Sequence, residues 1–300
     1  MIAVFSEMTP EGLQALLPDL TVFLFPVGGL EQHGPHLPFG VKLLQAETTA
    51  RTLAEELQKR LPAWNYVLMP VIPLTVDGIT NRLALPVRPH VVRDALVDQC
   101  EQLKRLGFTR FLAVNAHLSP KQITTLEDAA RIVSGRSWWI GKKSQLISVT
   151  GALVDAKTVF ESPLIALPQE HGGERDASFM LAHAPEQVSK NILSLPAQPR
   201  PRASMGRFFK YLSHEIDGYW GAPGSAKADH AQIDLIQEVS LLVEKLIPWL
   251  ERGKGARQFL TAYRYFPFNG SFFKAYVLAL IFSFMMLAWI LWSVKDVFVP

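Results

Sequence analysis

The stretch TVFLFPV, residues 21–27, constrains the fold more than any other. An apolar and β-branched run with no polar alternation cannot leave one face in water, so it reads as a strand buried on both sides, as in the middle of a parallel sheet. LLQAETTARTLAEELQKR, residues 43–60, then places apolar residues at helical spacing. The order repeats: Tyr66 to Ile72 reads as a strand and His90 to Leu106 as a helix. RFLAV, residues 110–114, is a third strand, and a helix from Pro120 to Val133 follows with Ser119 as its N-cap. Trp138 to Val149 reads as further strand, residues 189–225 as a loop region, and Ala226 to Leu250 as a last helix of this unit. Strands alternating with helices predict an α/β fold with a mostly parallel sheet covered by helices on both faces.

Such sheets gather their functional loops at the carboxyl ends of the strands. EQHGPHLPFGVK, residues 31–42, follows the first strand and NAHLSP follows the third, so Glu31, His33, His36 and His117 are expected at one edge. In an extended segment, side chains at i and i+2 point the same way, so Glu31 and His33 can present a carboxylate oxygen and an imidazole nitrogen together. EHGGERDASFMLAHAPEQV, residues 170–188, has a Gly-rich turn, then a helix with Glu174 and Asp176 in its first turn. Glu31, His33, His117 and Asp176 form a donor set suited to zinc, manganese or iron rather than calcium or magnesium. The competing reading is that these groups hydrogen-bond the backbone of a Pro/Gly-rich loop. GRSWWIGKKS, residues 135–144, has the wrong glycine spacing for a phosphate-binding loop, and no G-x-S-x-G elbow is present. MGRFFKYLSHEIDGYW, residues 205–220, reads as a packing or site-covering loop.

Net charge is +3 without a basic stripe, which argues against nucleic acid as a partner. Cys100 is the only cysteine, so no intrachain disulfide can form, and a reducing compartment is the simplest reading. AYVLALIFSFMMLAWILWSV, residues 275–294, carries no charge and lies between Lys274 and Lys295. Roughly 20 apolar residues match a ~30 Å hydrocarbon core, so a transmembrane helix is expected there, with Tyr276, Trp289 and Trp292 near its ends. Arg252, Lys254, Arg257, Arg264 and Lys274 precede it and would keep the main domain in the cytoplasm. The expected layout is a domain over 1–250, a basic linker over 251–274, a single membrane span over 275–294 and a short tail over 295–300.

PVGGLEQHGPHLPFG closely resembles the creatininase (creatinine amidohydrolase) signature P-V-G-S-x-E-Q-H-G-P-H-L-P-L-G-T-D. VNAHLSP is similar to that family's V-N-G-H-G-G-N loop, EHGGERDASFMLAHAPEQV to its H-A-G-x-x-E-T-S-x-M-L segment, and DGYWGAPGSAKAD, residues 217–229, to its G-V-W-G-D-P-x-x-A stretch. The resemblance spans roughly residues 20–248 and implies a three-layer α/β sandwich, a divalent metal centre that is usually binuclear, hydrolysis of amide-type C–N bonds in small molecules, and a homo-oligomer. It implies Glu31, His33, His117 and Asp176 as metal ligands, the last where the family has Glu, and His171 as the catalytic histidine. Ala116, Leu118 and Ser119 depart from the family's glycines.

Lys42 is the main departure, standing where the resemblance implies a metal-bridging aspartate. At an effective dielectric near 20, like charges ~4 Å apart repel by about 4 kcal/mol, and a dication doubles that. An intact two-metal centre around a protonated Lys42 is therefore not expected; the site holds one ion or none. Three arrangements are open: Lys42 pairs with Glu31 and Asp176 in a metal-free pocket, it swings outward while the four ligands hold one ion, or it is carbamylated and bridges as an anion. Two functions follow. One is a membrane-tethered, metal-dependent amidohydrolase acting on a small cyclic amide, formamide or peptide-like bond; the other is an inactive relative that binds a ligand or scaffolds partners at the membrane.

Overall fold

The computed structural model describes residues 1–78, 83–135, 145–149, 170–199, 218–253, 256–261 and 270–298. Its centre is a five-stranded sheet of β1 (Ile2–Val4), β2 (Thr21–Val27), β3 (Asn65–Leu68), β4 (Arg110–Asn115) and β5 (Gln145–Ser148), in spatial order β1-β3-β2-β4-β5 with every pair parallel. The helices are α1 (Pro10–Gln14), α2 (Val41–Arg60), α3 (Pro89–Arg105), α4 (Pro120–Ser134), α5 (Glu174–His183), α6 (Ala228–Arg252) and α7 (Gly270–Phe298). β2 is buried along its whole length, as its unbroken apolar sequence requires.

The two-residue period of the strands sorts their side chains into two cores. Val22, Leu24, Tyr66, Leu112 and Val114 pack under Ala50, Leu53 and Leu57 of α2 and Leu242, Leu246 and Trp249 of α6. Phe23, Phe25, Val67, Phe111 and Ala113 face the other way, onto Val92, Leu96 and Cys100 of α3 and Leu126 and Ala129 of α4. Helix, sheet and helix thus form three layers. Each fully buried Leu, Phe or Val contributes roughly 1.5–3 kcal/mol of transfer free energy, so both faces of β2 and β4 are fixed by burial.

This topology places the site. From β2 the chain crosses to β3 on one side, and from β4 to β5 on the other, so their carboxyl ends flank the point where the winding reverses. Val27 pairs with Asn115, which sets the loops after β2 and β4 side by side.

The C-terminal segment corrects several expectations. α7 runs through both Lys274 and Lys295, which were expected to bracket a span. Among the described residues no helix is long and apolar enough to cross a membrane. The expected span over 275–294, the tail anchor, the single-pass membrane localisation, the membrane as partner and the cytoplasm-facing orientation that rested on it are withdrawn. Nothing in the single-chain structure supports the expected homo-oligomer, which is withdrawn as well. Residues 136–144 and most of the aromatic and basic stretch 205–220 lie outside the described residues.

Candidate metal centre

The loop after β2 is pressed against the start of α2 at Gly28, where a Cβ would lie 2.4 Å from the Lys42 carbonyl oxygen. That close approach requires glycine. Bridges tie Glu31 to Ala84 and His171 to Trp220, and the His171 ring on the Gln32 carbonyl brings residues 31–33 and 170–173 together. Gly172 turns with φ +59°, and a Cβ there would meet the His33 carbonyl oxygen at 2.6 Å.

Glu31, His33 and His171 form a buried group whose candidate ligand atoms all lie within 4.8 Å of one another. Hydrogen bonds to backbone fix the protonation of both rings. His33 Nδ1 lies 3.0 Å from the Glu31 carbonyl oxygen and His171 Nε2 lies 2.7 Å from that of Gln32. A carbonyl only accepts, so each of these nitrogens carries the hydrogen and the other nitrogen of a neutral ring is bare. Burial, with the neighbouring His171, holds the His33 ring down to about 3, and burial likewise lowers His171. Both rings are therefore neutral at pH 7, stacked with centroids 4.1 Å apart.

His33 Nε2 is fully buried and has no hydrogen-bond partner. It lies 3.9 Å from Glu31 Oε1 and 3.9 Å from Asp176 Oδ2. Two donors on one zinc-type ion, each about 2.0–2.2 Å from it, can stand up to ~4.3 Å apart, so these separations fit a shared ion. An orphaned imidazole nitrogen facing carboxylates, with its opposite nitrogen held by a carbonyl, is the donor chemistry a metal takes.

His117 is bound differently. The Asn115 side chain folds over it, donating to the His117 carbonyl at 2.6 Å and accepting from its N–H at 3.2 Å. Its ring Nδ1 forms a 2.8 Å ion pair with Glu31 Oε1, and its Nε2 donates to Asp77 Oδ1 at 3.1 Å. Burial disfavours the charged ring, but the two carboxylates outweigh it and push His117 up to about 9. Burial also raises the Glu31 carboxyl, yet the His117 charge prevails and holds it well below the usual carboxylate range.

Lys42, in the first turn of α2, is only 11% exposed and donates to Asp176 Oδ1 at 2.7 Å and Gln45 Oε1 at 2.9 Å. Gln45 Nε2 and the Gly172 N–H also donate to Asp176, at 2.8 and 3.0 Å. Burial would raise the Asp176 carboxyl, but Lys42 holds it well below the ordinary value. The two helix starts act oppositely: the dipole of α2 disfavours the Lys42 cation, whereas that of α5 favours the Asp176 anion, so it is the close pairing that holds Lys42 there.

Of the four ligands read from sequence, Glu31 and His33 join the triad, Asp176 stands beside it under Lys42, and His117 meets Glu31 through an ion pair. His171, implied as catalytic, lies within the triad itself. His36 is at the same edge, but its Nε2 donates to the Gly172 carbonyl at 2.8 Å. Asp77 and Gln45 went unread in the sequence. Asp77 lies after β3, at the same carboxyl-end edge, which is the one signal that could have found it; Gln45 sits one turn from Lys42 on the same helix face.

Comparison with known proteins identifies the family and the fold. The creatininase profile, described as creatinine amidohydrolase, matches residues 6–246. A crystal structure of creatinine amidohydrolase (creatininase) is similar, with a TM-score of 0.61 and 20% identity over 83% of this chain and 98% of that one. A putative creatinine amidohydrolase from Bacteroides fragilis NCTC 9343 gives 0.61 and 18% over 83% and 97%. A structure described as creatininase Mn gives 0.60 and 20% over 83% and 98%. At these identities the likeness establishes the shared fold. No curated protein matches the chain.

Proposed function

The chain belongs to the creatininase family, with a creatininase-type metal-dependent hydrolase fold and a candidate divalent-metal triad, and on that premise we propose that it hydrolyses an amide-type C–N bond in a small molecule with one ion. The observation that carries this reading is the pair of neutral histidines, His33 and His171, each with one nitrogen held by a carbonyl and the other bare, beside the ionised Glu31. Zinc, manganese or iron suits that donor set. When bound, the ion supplies Lewis acidity to polarise a carbonyl.

The chain's own residues do the rest. Glu31, His33 and His171 hold the ion. Lys42 supplies a tethered positive charge at Asp176, and its repulsion for a second dication favours one ion over two. On this reading His171 donates to the ion, and the protonated His117, its Nδ1–H on Glu31, is the group that holds a proton at the site. The substrate class, a small cyclic amide or formamide, is carried by family membership.

The test loads the purified full chain with zinc or manganese, removes free ion, and measures metal content by mass spectrometry alongside amine release from a panel of lactams and formamides. About one ion per chain is expected, with amine release abolished by Glu31→Gln. Two ions per chain would overturn the one-ion reading. No retained metal and no amine release would overturn the hydrolase and leave a ligand-binding relative.

A further inference from the structure

We infer that Asp77 is a positioning residue for the metal centre, acting through His117 on Glu31. The inference rests on Glu31 being a metal ligand, as proposed above. Its basis is a continuous chain of contacts: Ser119 Oγ donates to Asp77 Oδ1, His117 Nε2 donates to the same oxygen at 3.1 Å, and His117 Nδ1 forms an ion pair with Glu31 Oε1 at 2.8 Å. A ring gripped at both nitrogens cannot rotate about its outer bond without breaking one of the two contacts. Asp77 therefore sets the plane of the His117 ring, and the ring sets which Glu31 oxygen is engaged.

Asp77 is itself held in place from the start of α4. Gln122, fully buried, accepts from the Val76 N–H at 3.0 Å and donates to the Leu74 carbonyl at 3.3 Å. The Thr75 hydroxyl donates to the Asp77 carbonyl at 2.9 Å. Ser119 serves twice, accepting from the Gln122 N–H at 3.1 Å as N-cap of α4 while donating to Asp77. The loops after β3 and β4 are thus joined at several points, and the Asp77 carboxylate lies at the joint. Its side chain is 31% exposed, so its removal leaves no buried cavity. A merely structural surface aspartate would have no reason to share one oxygen between an N-cap serine and a buried histidine.

Hydrogen-bond partners of this kind, one step beyond the ligands, typically change metal affinity 10–100-fold when removed. The experiment uses the full chain and two readouts. First, in the metal-free protein with 15N-labelled histidine, the His117 ring N–H signals report whether the ring is clamped. Asp77→Ala should abolish the Nε2–H signal, and Asp77→Asn, whose amide oxygen still accepts, should restore it. Second, zinc affinity measured against a chelator should fall about 10–100-fold in Asp77→Ala and recover most of the way in Asp77→Asn. In a His117→Ala background, Asp77→Ala should cause no further loss. Unchanged ring signals, unchanged affinity, or losses that add independently of His117 would each overturn the inference. A wild-type chain that takes no zinc would instead sink the proposed function, and the ring signals would still decide whether Asp77 clamps His117. Should Asp77→Ala fail to fold, Asp77→Asn and Asp77→Ser carry the same comparison.

Discussion

Replacing Lys42 by methionine removes an ammonium from a buried pair while keeping a stem of similar volume, so the change isolates charge from packing. Lys42 and Asp176 are 11% and 7% exposed at 2.7 Å. Removing one member of such a pair leaves the other charged and buried, which costs about 3–5 kcal/mol. Two effects soften this. Asp176 keeps its bonds from Gln45 and the Gly172 N–H, and α2 loses a cation from its N-terminus, worth about 0.3–1 kcal/mol. A net loss of about 2–4 kcal/mol is expected in urea unfolding at pH 7 followed by tryptophan fluorescence.

The pH dependence gives the sharper check. In the folded wild type Asp176 lies well below its ordinary value, so its contribution is present above the unfolded carboxyl value of ~3.9 and is lost as pH falls through the folded value. Without Lys42, burial becomes the larger influence and pushes the Asp176 carboxyl upward. The difference between variant and wild type should then be largest near neutral pH and already be shrinking by pH ~4, because the variant takes up its proton as pH falls through its raised Asp176 value. A loss under about 0.5 kcal/mol, the size expected for Lys59→Met at the exposed Lys59–Glu56 pair, would refute the reasoning. So would a loss of the same size at pH 7 and pH 4, because that would be packing and not charge.

Two further outcomes follow from the structure. Gly172→Ala places a Cβ at positive φ and 2.6 Å from the His33 carbonyl oxygen, so calorimetry should show a loss of at least about 1–2 kcal/mol, or roughly 3–6 °C in Tm; an unchanged Tm would mean that the 171–173 turn is not packed on residue 33. Cys100 is fully buried in α3 and burial, with Glu101, pushes its thiol up, so a disulfide reagent at pH 8 should label it only at the rate of unfolding, and immediate labelling of the native chain would contradict this core.

Much of the fold was written locally. TVFLFPV forms β2 over the residues read from its apolar run, and Ser119 caps α4 as its position before Pro120 suggested. Burial on both faces leaves a continuous apolar signature, and an N-cap follows from a residue's own geometry, so neither needs knowledge of the rest of the chain. The short edge strand β1, only Ile2–Val4, went unread because three residues carry too little periodicity. The apolar run over 275–294 shows the opposite hazard: hydropathy invited a membrane span, yet among the described residues no helix meets the requirement.

The candidate site divides the same way. Sequence alone suggested which donor types meet at the sheet's carboxyl edge, because the alternation of strands and helices and the loops after β2 and β4 follow from local pattern, and the family resemblance marked Lys42 as the wrong charge for a shared metal position. Tertiary structure alone decided the partners. His171 stands beside His33 because a turn more than a hundred residues away packs on the loop after β2. His117 points to Glu31 and Asp77, and Lys42 chooses Asp176 over Glu31. A residue's type fixes what it can donate or accept, but which nitrogen is bare and which carboxylate is neutralised depend on distances set only when separate loops are packed together.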